Sequence, residues 1–265
     1  MHFLDLTLAT PAENLACDEA LLDFFEERGG NGVLRFWEPG NYFVVVGYGN
    51  YVEKEADAAA CAAGGIPIFR RCSGGGTVLQ GPGCLNYSLV LKIEKDGPLH
   101  SITSANRFIM ERNRGAIERL VSCSRGTGLS PVRAGTHGRD AHAPIAVQVR
   151  GHTDLALAAD DSSLKFSGNA QRRKKSFLLF HGTFLLNFDI SLIGRFLRMP
   201  SKEPDYRHGR SHEHFLTNLS LSAEAVKRAL REAWPTEATL EAALDSAIAL
   251  LARDKYETEG WNFKF

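Results

Sequence analysis

The stretch Arg70-Arg71-Cys72-Ser73-Gly74-Gly75-Gly76-Thr77 follows one predicted strand, over residues 66–71, and precedes another, over residues 85–93. Three consecutive glycines permit positive φ angles and allow successive backbone N–H groups to point at one ligand, as in an anion-binding nest. Two arginines at the end of the first strand add positive charge beside the glycines. The run matches neither G-x-x-x-x-G-K-[ST] nor G-x-G-x-x-G, so taken alone it also fits a flexible turn.

The elements around this loop do not alternate regularly between strand and helix. Thr10-Pro11-Ala12-Glu13 predicts a helix that starts with a capping box. Residues 33–37 and 42–47 read as strands, and the turn chemistry of Glu38-Pro39-Gly40-Asn41 between them predicts a hairpin. Helices are also predicted at residues 54–63 and 101–122, and two more within residues 222–253, broken at Pro235. Strands are predicted at residues 155–158, 164–167 and 177–188. This mixture predicts an α+β fold.

The totals exclude several classes of protein. Lys plus Arg number 31 and Asp plus Glu number 31, so no global field would recruit nucleic acid or an anionic membrane. The start resembles no signal peptide and no apolar run approaches the roughly 20 residues of a membrane span, which predicts a cytoplasmic protein. The five scattered cysteines fit reduced thiols better than disulfides or a zinc site. Without a repeat or a linker between two cores, residues 1–265 are expected to form a single domain.

A second cluster reads Lys165-Phe166-Ser167-Gly168-Asn169-Ala170-Gln171 and continues into a basic run at residues 172–175. Lys165 is flanked by apolar Leu164 and Phe166, so in an alternating strand it points away from them, toward solvent or into a cleft. The sequence alone leaves both directions open. The basic run fits a solvated face, an acidic partner or a nucleotide phosphate.

Taken in order along the chain, these motifs resemble the lipoate-protein ligase A family, in the wider group of biotin ligases and octanoyltransferases. The match covers nearly the whole chain. It runs from a helix at residues 14–22 through the loop, Gly83 with Asn86, Asp154-Leu155, the Lys165 segment and His181-Gly182-Thr183 to Lys255-Tyr256 and Glu259-Gly260-Trp261-Asn262. The resemblance implies largely antiparallel mixed sheets flanked by helices, as in biotin/lipoate ligase-like, class II synthetase-like catalytic domains. Many relatives carry a C-terminal accessory domain that is not evident here, so a separate small accessory subunit is an open expectation.

The resemblance also implies a reaction in two steps. A carboxylate attacks the α-phosphate of ATP in the presence of Mg²⁺, and the lysine of a lipoyl-domain or H-type carrier protein then attacks the mixed anhydride. Lipoate or octanoate is the implied acid, Lys165 is the implied catalytic residue, and no metal site of the protein's own is expected. The residues that would contact the substrate or the adenylate are Arg70, Arg71, Ser73, Gly74, Gly75, Gly76, Thr77, Asn86, Asp154, Gly168, Asn169, Ala170, His181, Gly182 and Thr183.

Two other readings stay open. The related octanoyltransferases form a cysteine thioester without ATP, but neither of their nucleophile positions, around residues 149–152 and 198–200 here, holds a cysteine. Cys72 and Cys84 near the loop leave a displaced thiol nucleophile as the alternative. A non-catalytic lipoyl- or nucleotide-binding subunit is the other reading. Residues 126–144, rich in Gly, Arg, His and Pro, predict an exposed connection, and His208, His212 and His214 fit an exposed loop better than a metal site.

Overall fold

The computed structural model describes residues 1–126, 146–159, 162–240 and 244–265. In chain order the strands are β1 His2–Asp5, β2 Val33–Trp37, β3 Phe43–Val46, β4 Ile68–Arg70, β5 Val78–Gln80, β6 Cys84–Lys92, β7 Val147–Arg150, β8 Asp154–Ala159, β9 Ser162–Arg173, β10 Phe177–Leu185 and β11 Ala238–Thr239. The α-helices are α1 Pro11–Arg28, α2 Val52–Glu55, α3 Ala58–Ala63, α4 Ile102–Gly126, α5 Ile193–Phe196, α6 His212–Phe215, α7 Ala223–Ala233, α8 Asp245–Leu251 and α9 Glu259–Asn262. Short 3₁₀ turns at Ile190–Leu192 and Asp205–Arg207 and a π-helical turn at Ala252–Tyr256 complete them.

The strands form two sheets. The large sheet has the order β11-β1-β2-β6-β10-β9-β8-β7 and the small sheet the order β4-β3-β5. Within the large sheet β1 pairs in parallel with β2 and β11, whereas the remaining pairs are antiparallel. The small sheet contains one parallel and one antiparallel pair. The predicted α+β class with mixed, largely antiparallel sheets is confirmed.

Helices cover both faces of the large sheet. On one face α1 buries Leu21, Leu22 and Phe25 in a core that also contains Val90 and Leu179. On the other face α4 and α7 pack with Leu89, Phe180 and Phe184. Each such side chain contributes about 1.5 to 3 kcal/mol when it is fully removed from water. The two cores hold the large sheet rigidly between layers, with the small sheet beside the α1 face.

The start of α1 is as predicted. Thr10 accepts a hydrogen bond from the Glu13 amide at 3.1 Å, and the Glu13 carboxylate accepts one from the Thr10 amide at 2.9 Å. Pro11 occupies the first turn, where its missing N–H is not needed. The capping box therefore satisfies two backbone donors that would otherwise lack partners.

Several other predictions need correction. The predicted hairpin of residues 33–37 and 42–47 is wrong, because β2 pairs with β1 and β6 whereas β3 pairs with β4 and β5. Both strands are buried along their whole length. Each strand is paired on both edges within its own sheet, so neither has a free edge for the other. The turn residues indicate that the chain changes direction, but they do not determine which strands pair.

The predicted helix at residues 54–63 is two helices. Asp57 lies between α2 and α3, and its carboxylate accepts a hydrogen bond from the Ala60 amide at 2.9 Å. An aspartate that caps the helix following it ends the preceding one. The tail contains α7 and α8, as expected, but also the short strand β11 between them. Of the predicted connection at residues 126–144, Gly126 is the last residue of α4, and residues 127–144 lie outside the described residues.

No helix among the described residues is both long enough and apolar enough to cross a membrane.

Candidate functional site

The glycine loop, residues 71–77, connects β4 to β5 and folds around the guanidinium of Arg71. Arg71 donates to the Gly74 carbonyl at 2.6 Å and to the Gly76 carbonyl at 2.7 Å. The Ser73 carbonyl accepts from the Tyr48 amide at 2.8 Å, and the Gly75 carbonyl accepts from the Asn50 side chain at 3.1 Å. The carbonyl oxygens of the four successive residues 73–76 thus all accept hydrogen bonds from within the protein.

The amides of this loop consequently face the other way. In a trans peptide the C=O and the following N–H point in opposite directions, and no cis peptide occurs among the described residues. The amides of Gly74, Gly75 and Gly76 donate to no acceptor in the described parts of the chain. Gly75 has a φ of 87°, and a Cβ there would lie 2.9 Å from the Arg71 guanidinium. The loop therefore presents unpaired N–H groups, as an anion-binding nest requires.

Ser73 begins a buried hydrogen-bonded relay that reaches α1. The Ser73 Oγ lies 2.6 Å from Nε2 of His181, and His181 Nδ1 lies 3.0 Å from Oδ2 of Asp18. The Arg35 guanidinium binds Oδ1 of Asp18 at 2.6 Å. Burial by itself would raise the pKa of Asp18, but Arg35 and His181 hold it below its ordinary value. The relay fixes Ser73, and it occupies both ring nitrogens of His181, which the resemblance placed among the substrate contacts.

A β-bulge determines which face of the large sheet carries Lys165. Across β8 and β9, Asp154 pairs with Gly168, Leu155 with Ser167 and Ala156 with Lys165, so Phe166 is the extra residue. Regular alternation back from Gly168 would put Lys165 on the opposite face. The bulge instead brings Lys165 to the face that carries Asp154 and Gly168, which we call the site face. Bulges of this kind commonly redirect side chains next to active sites.

On the site face Lys165 is ion-paired. Its ammonium lies 2.8 Å from Oδ1 of Asp154, and the Lys165 and Asp154 side chains are 25% and 13% exposed. The Tyr206 hydroxyl donates to the other carboxylate oxygen, Oδ2, at 2.9 Å. A Cβ on Gly168 would lie 2.9 Å from the Lys165 ammonium, so the glycine leaves room for the lysine. Asp154 thus holds a half-buried cation in place without closing it off from solvent.

Three polar side chains, those of Gln80, Asn86 and Thr183, form a ring of hydrogen bonds between the two sheets. Gln80 donates to the Thr183 hydroxyl at 2.6 Å, Thr183 donates to Asn86 at 2.5 Å, and Asn86 donates to Gln80 at 3.1 Å. Asn86 pairs in register with Thr183, which pairs with Gly168, so the ring lies on the site face. The ring ties β5 to β6 and β10 beside the nest.

Asn169 and Gly182 lie on the opposite face. The Tyr87 hydroxyl donates to Oδ1 of Asn169 at 2.6 Å, and the Asn169 amide donates to the Thr153 carbonyl at 2.7 Å. Gly182 lies directly beneath this side chain. Asn169 therefore supports the loop before β8 from behind and does not face the nest.

Substitution of Gly182 by alanine is expected to destabilise the fold by about 1 to 3 kcal/mol through overpacking. Its Cβ would lie 1.7 Å from Oδ1 of Asn169 and 2.8 Å from the Gly168 carbonyl. Urea unfolding measures the change. Gly194→Ala is the matched control, because nothing lies within 4 Å of its Cβ position. Equal unfolding midpoints for the two variants would contradict this packing argument.

Arg70 also differs from the other predicted residues. Its side chain is fully buried, and its guanidinium donates only to backbone carbonyls, those of Gly47, Tyr48, Asn50, Trp261 and Asn262. The Arg70 amide donates to the Asn262 side chain at 2.9 Å. Arg70 is thus a clamp that joins the strand before the glycine loop to the C-terminal segment. Thr77 is the last residue of the loop and accepts a hydrogen bond from Asn50, and Ala170 lies beside the loop, 3.3 Å from the Cβ position of Gly75.

Sequence reasoning missed Asp18, Arg35, Gln80 and Tyr206. A signal existed for two of them. Arg35 interrupts the apolar strand Val33–Trp37, and Asp18 lies beside the apolar stripe of α1. Buried charges at such places are rare unless they are paired, so the two could have been matched to each other. Nothing local identified Tyr206, whose partner Asp154 lies 52 residues earlier.

The four buried cysteines have raised thiol pKa values, which makes them poor nucleophiles. Cys72 and Cys84 are buried, and burial raises the pKa of each thiol to about 12. Burial likewise raises the pKa of Cys17 to about 11 and that of Cys61. Cys123 is exposed on α4, away from the loop in sequence and on the helix that covers the opposite face. Among these cysteines, none near the nest has the accessible thiol with a low pKa that a nucleophilic attack requires.

Metal ligands are sparse. Among the described residues no three His, Cys, Asp or Glu side chains come close enough together to hold an ion. The Asp154 carboxylate stands beside Lys165 on the site face. Both oxygens of this carboxylate are already bound, Oδ1 by Lys165 and Oδ2 by Tyr206.

Comparisons with known proteins agree on one group. A family model described as the lipoyl protein ligase A/B catalytic domain matches residues 10–120 and 133–234. Octanoyltransferase LipM of Geobacillus kaustophilus (strain HTA426) is 29% identical over 279 residues, covering 99% of this chain and 98% of its own. Lipoate-protein ligase A subunit 1 of Thermoplasma acidophilum is 27% identical over 271 residues, covering 97% and 95%. A solved structure of the bi-partite lipoate protein ligase of Thermoplasma acidophilum, studied with its E2 lipoyl domain, superposes with a TM-score of 0.75 at 22% identity, covering 99% of this chain and 95% of that one.

Proposed function

Because the chain belongs to the lipoyl protein ligase A/B catalytic domain family, we propose that it activates lipoate, or a similar acid such as octanoate, with ATP and magnesium. It then transfers the acyl group to a lysine of a lipoyl carrier domain. The observation that carries this proposal is the bulge that brings Lys165 to the site face, alongside a loop whose amides lack acceptors. These two features supply the positive charge and the N–H donors that both steps need.

The first step forms a bond between the carboxylate oxygen of the acid and the α-phosphorus, and pyrophosphate leaves. Negative charge grows on the oxygens around that phosphorus. Fixed N–H donors and an ammonium stabilise such charge without reorganising during the reaction. The amides of Gly74, Gly75 and Gly76 would bind phosphate or carboxylate oxygens, and Lys165 would contact the acyl carbonyl and the α-phosphate. A magnesium ion that arrives with the nucleotide would supply positive charge for the leaving pyrophosphate.

In the second step the neutral amine of the carrier lysine attacks the acyl carbon, AMP leaves, and the amine loses a proton to solvent. Lys165 stabilises the charge that develops on the carbonyl oxygen. Asp154 keeps the Lys165 ammonium in place through their 2.8 Å ion pair, and Tyr206 keeps Asp154 in place. Neither step requires a protein nucleophile.

A transfer without ATP is the second candidate, favoured by the similarity to octanoyltransferase LipM. A thioester route would need an accessible thiolate. Cys72 within the glycine loop and Cys84 after it are both buried, and their thiols have raised pKa values. The chemistry of the described residues therefore favours activation by ATP.

The deciding experiment incubates the protein with lipoate, ATP, magnesium and a lipoyl domain, and measures the intact mass of the acceptor. We expect a lipoyl adduct only when ATP is present. Parallel reactions replace lipoate and ATP with an octanoyl carrier-protein thioester, or with preformed lipoyl-adenylate. An adduct from the thioester alone would contradict the proposal in favour of the transferase. An adduct from the adenylate alone would assign the first step to a separate small subunit, in line with the bi-partite ligase noted above.

The Cys72→Ser and Cys84→Ser variants are each expected to keep at least about half of the wild-type rate, because the proposed reaction uses no protein nucleophile. The same intact-mass assay measures them, and thermal unfolding checks that each variant folds. Cys61→Ser, at a buried thiol in the core around α3 and α5 that also contains Cys84, is the matched control, because Cys61 lies before the glycine loop and outside it. A loss of acyl transfer in a folded Cys72 or Cys84 variant, with the control active, would point to a thiol nucleophile instead.

A further inference from the structure

Three exposed aromatic rings lie together on one side of the glycine loop. Tyr48, Tyr51 and Phe265 are 37%, 47% and 39% exposed. The Phe265 ring centroid lies 6.4 Å from that of Tyr48 and 6.0 Å from that of Tyr51, so the three form one continuous surface. Large exposed aromatic side chains are rare enough that a contiguous group indicates a contact surface.

Cations ring these aromatics. The Lys54 ammonium lies 4.6 Å from the Tyr51 ring, and the Lys264 ammonium lies 4.5 Å from the Tyr48 ring. The Arg172 guanidinium lies 5.9 Å from the Tyr48 ring. None of these three cations forms an ion pair with an acidic side chain in the described parts of the chain. We call the six residues Tyr48, Tyr51, Lys54, Arg172, Lys264 and Phe265 the aromatic–cationic patch.

The patch is joined directly to the glycine loop. The Tyr48 amide donates to the Ser73 carbonyl at 2.8 Å, and Arg172 donates to the Cys72 carbonyl at 2.9 Å. A protein bound on the patch would therefore stand at the rim of the nest. The rim is where an acceptor must stand, because a lysine side chain is short compared with the domain that carries it.

We propose that the aromatic–cationic patch docks the carrier domain that receives the acyl group, through an acidic surface around its acceptor lysine; this inference rests on the proposed function. Tyrosine, phenylalanine and arginine are enriched in protein interfaces, and rings with two rotatable bonds lose little conformational entropy on binding. The unpaired cations select an acidic partner and speed its approach. The nest and Lys165 carry out the chemistry, whereas the patch sets which protein reaches them.

The test compares transfer from preformed lipoyl-adenylate to a folded lipoyl domain with transfer to hydroxylamine. The test variants are Tyr51→Ala and the double variant Lys54→Glu with Lys264→Glu, none of which alters the glycine loop or Lys165. We expect the KM for the lipoyl domain to rise about tenfold or more with little change in kcat, because Tyr51→Ala removes contact area and the double variant removes electrostatic attraction, both of which act on association. The hydroxylamine rate should stay at the wild-type value. Added salt should raise the KM of the wild type, and it should reduce the difference between the KM values of the wild type and the double variant.

The matched controls are Lys95→Glu and Leu250→Ala, which make the same kinds of change at exposed positions elsewhere. Equal KM values for the wild type and the patch variants, or equal effects in the controls, would overturn the proposal. A change in sedimentation coefficient without a change in KM would mean that a second copy of the chain covers the patch, and would overturn it too.

Failure of the proposed function would look different. The wild type would then give no hydroxamate from lipoate, ATP and magnesium and no transfer from the adenylate. Titration of the lipoyl domain against the wild type and the patch variants would still measure the dissociation constant of each complex. Weaker binding of the patch variants would support the docking surface by itself, and unchanged binding would reject it.

Discussion

Replacement of Lys165 by methionine is expected to lower the rate of acyl transfer by on the order of 10³-fold, as losing a preorganised stabiliser of developing charge does in other enzymes. Methionine matches the length of the lysine stem but carries no charge. Because Lys165 is 25% exposed and its backbone is held in β9, the fold should tolerate the change. Single-turnover assays with ATP and with preformed adenylate measure the two steps separately.

Lys174→Met is the matched control for this prediction. Lys174 follows the same strand and pairs with Asp23 at 2.6 Å, with its side chain 31% exposed. It should transfer acyl groups at nearly the wild-type rate. If Lys165→Met and Lys174→Met were equally active while both remained folded, Lys165 would not be the catalytic cation, and the proposed mechanism would lose its central group.

Substitution of Asp18 by alanine is expected to destabilise the protein by about 3 to 5 kcal/mol, because it leaves a buried guanidinium without its counter-charge. The Arg35 side chain is 0% exposed, and its other hydrogen bonds go to neutral groups of Leu6 and Asn14. Urea unfolding measures the loss. Asp23→Ala on the same helix is the control, since that carboxylate is 35% exposed and should cost less than about 1 kcal/mol.

The pH dependence follows from the same carboxylate. The pKa of Asp18 is lower in the folded protein than in the unfolded chain, so its contribution to stability is fully present above the unfolded value of about 3.9. It is lost as the pH falls through the folded pKa. The difference in unfolding free energy between wild type and Asp18→Ala should therefore be constant near neutral pH and shrink only in strong acid. A difference that grew on acidification would contradict the ion pair.

Local features were the ones that the sequence predicted best. The capping box of α1 spans four residues, and its hydrogen bonds are all within that span, so its residues alone determine it. The glycine loop was likewise visible as a backbone freed for anion binding. What could not be seen is that Arg71 turns the carbonyls inward, since this depends on partners at Tyr48 and Asn50, which pack against the loop only in the fold.

Pairings over long distances were the least predictable. The strand pattern put Lys165 opposite Phe166, but a choice between solvent and cleft required the bulge, whose register is set by β8. Asn169 was expected at the nucleotide side because it lies in the same motif, yet alternation along β9 turns its side chain to the other face, onto Tyr87. The predicted hairpin of residues 33–37 and 42–47 was wrong for the same reason. A turn specifies only that the chain reverses, whereas the partner strand is selected by burial on both faces.

The clamp at Arg70 ties the start of the glycine loop to residues that follow it by 191 and 192 positions. During synthesis the chain emerges at about 5 to 20 residues per second, so the loop leaves the ribosome many seconds before Trp261 and Asn262 do. Until then Arg70 can bind the carbonyls of Gly47, Tyr48 and Asn50, but not those of Trp261 and Asn262. A nascent or prematurely terminated chain that already contains the loop and Lys165 should therefore hold the loop less firmly than the chain that also contains Trp261 and Asn262.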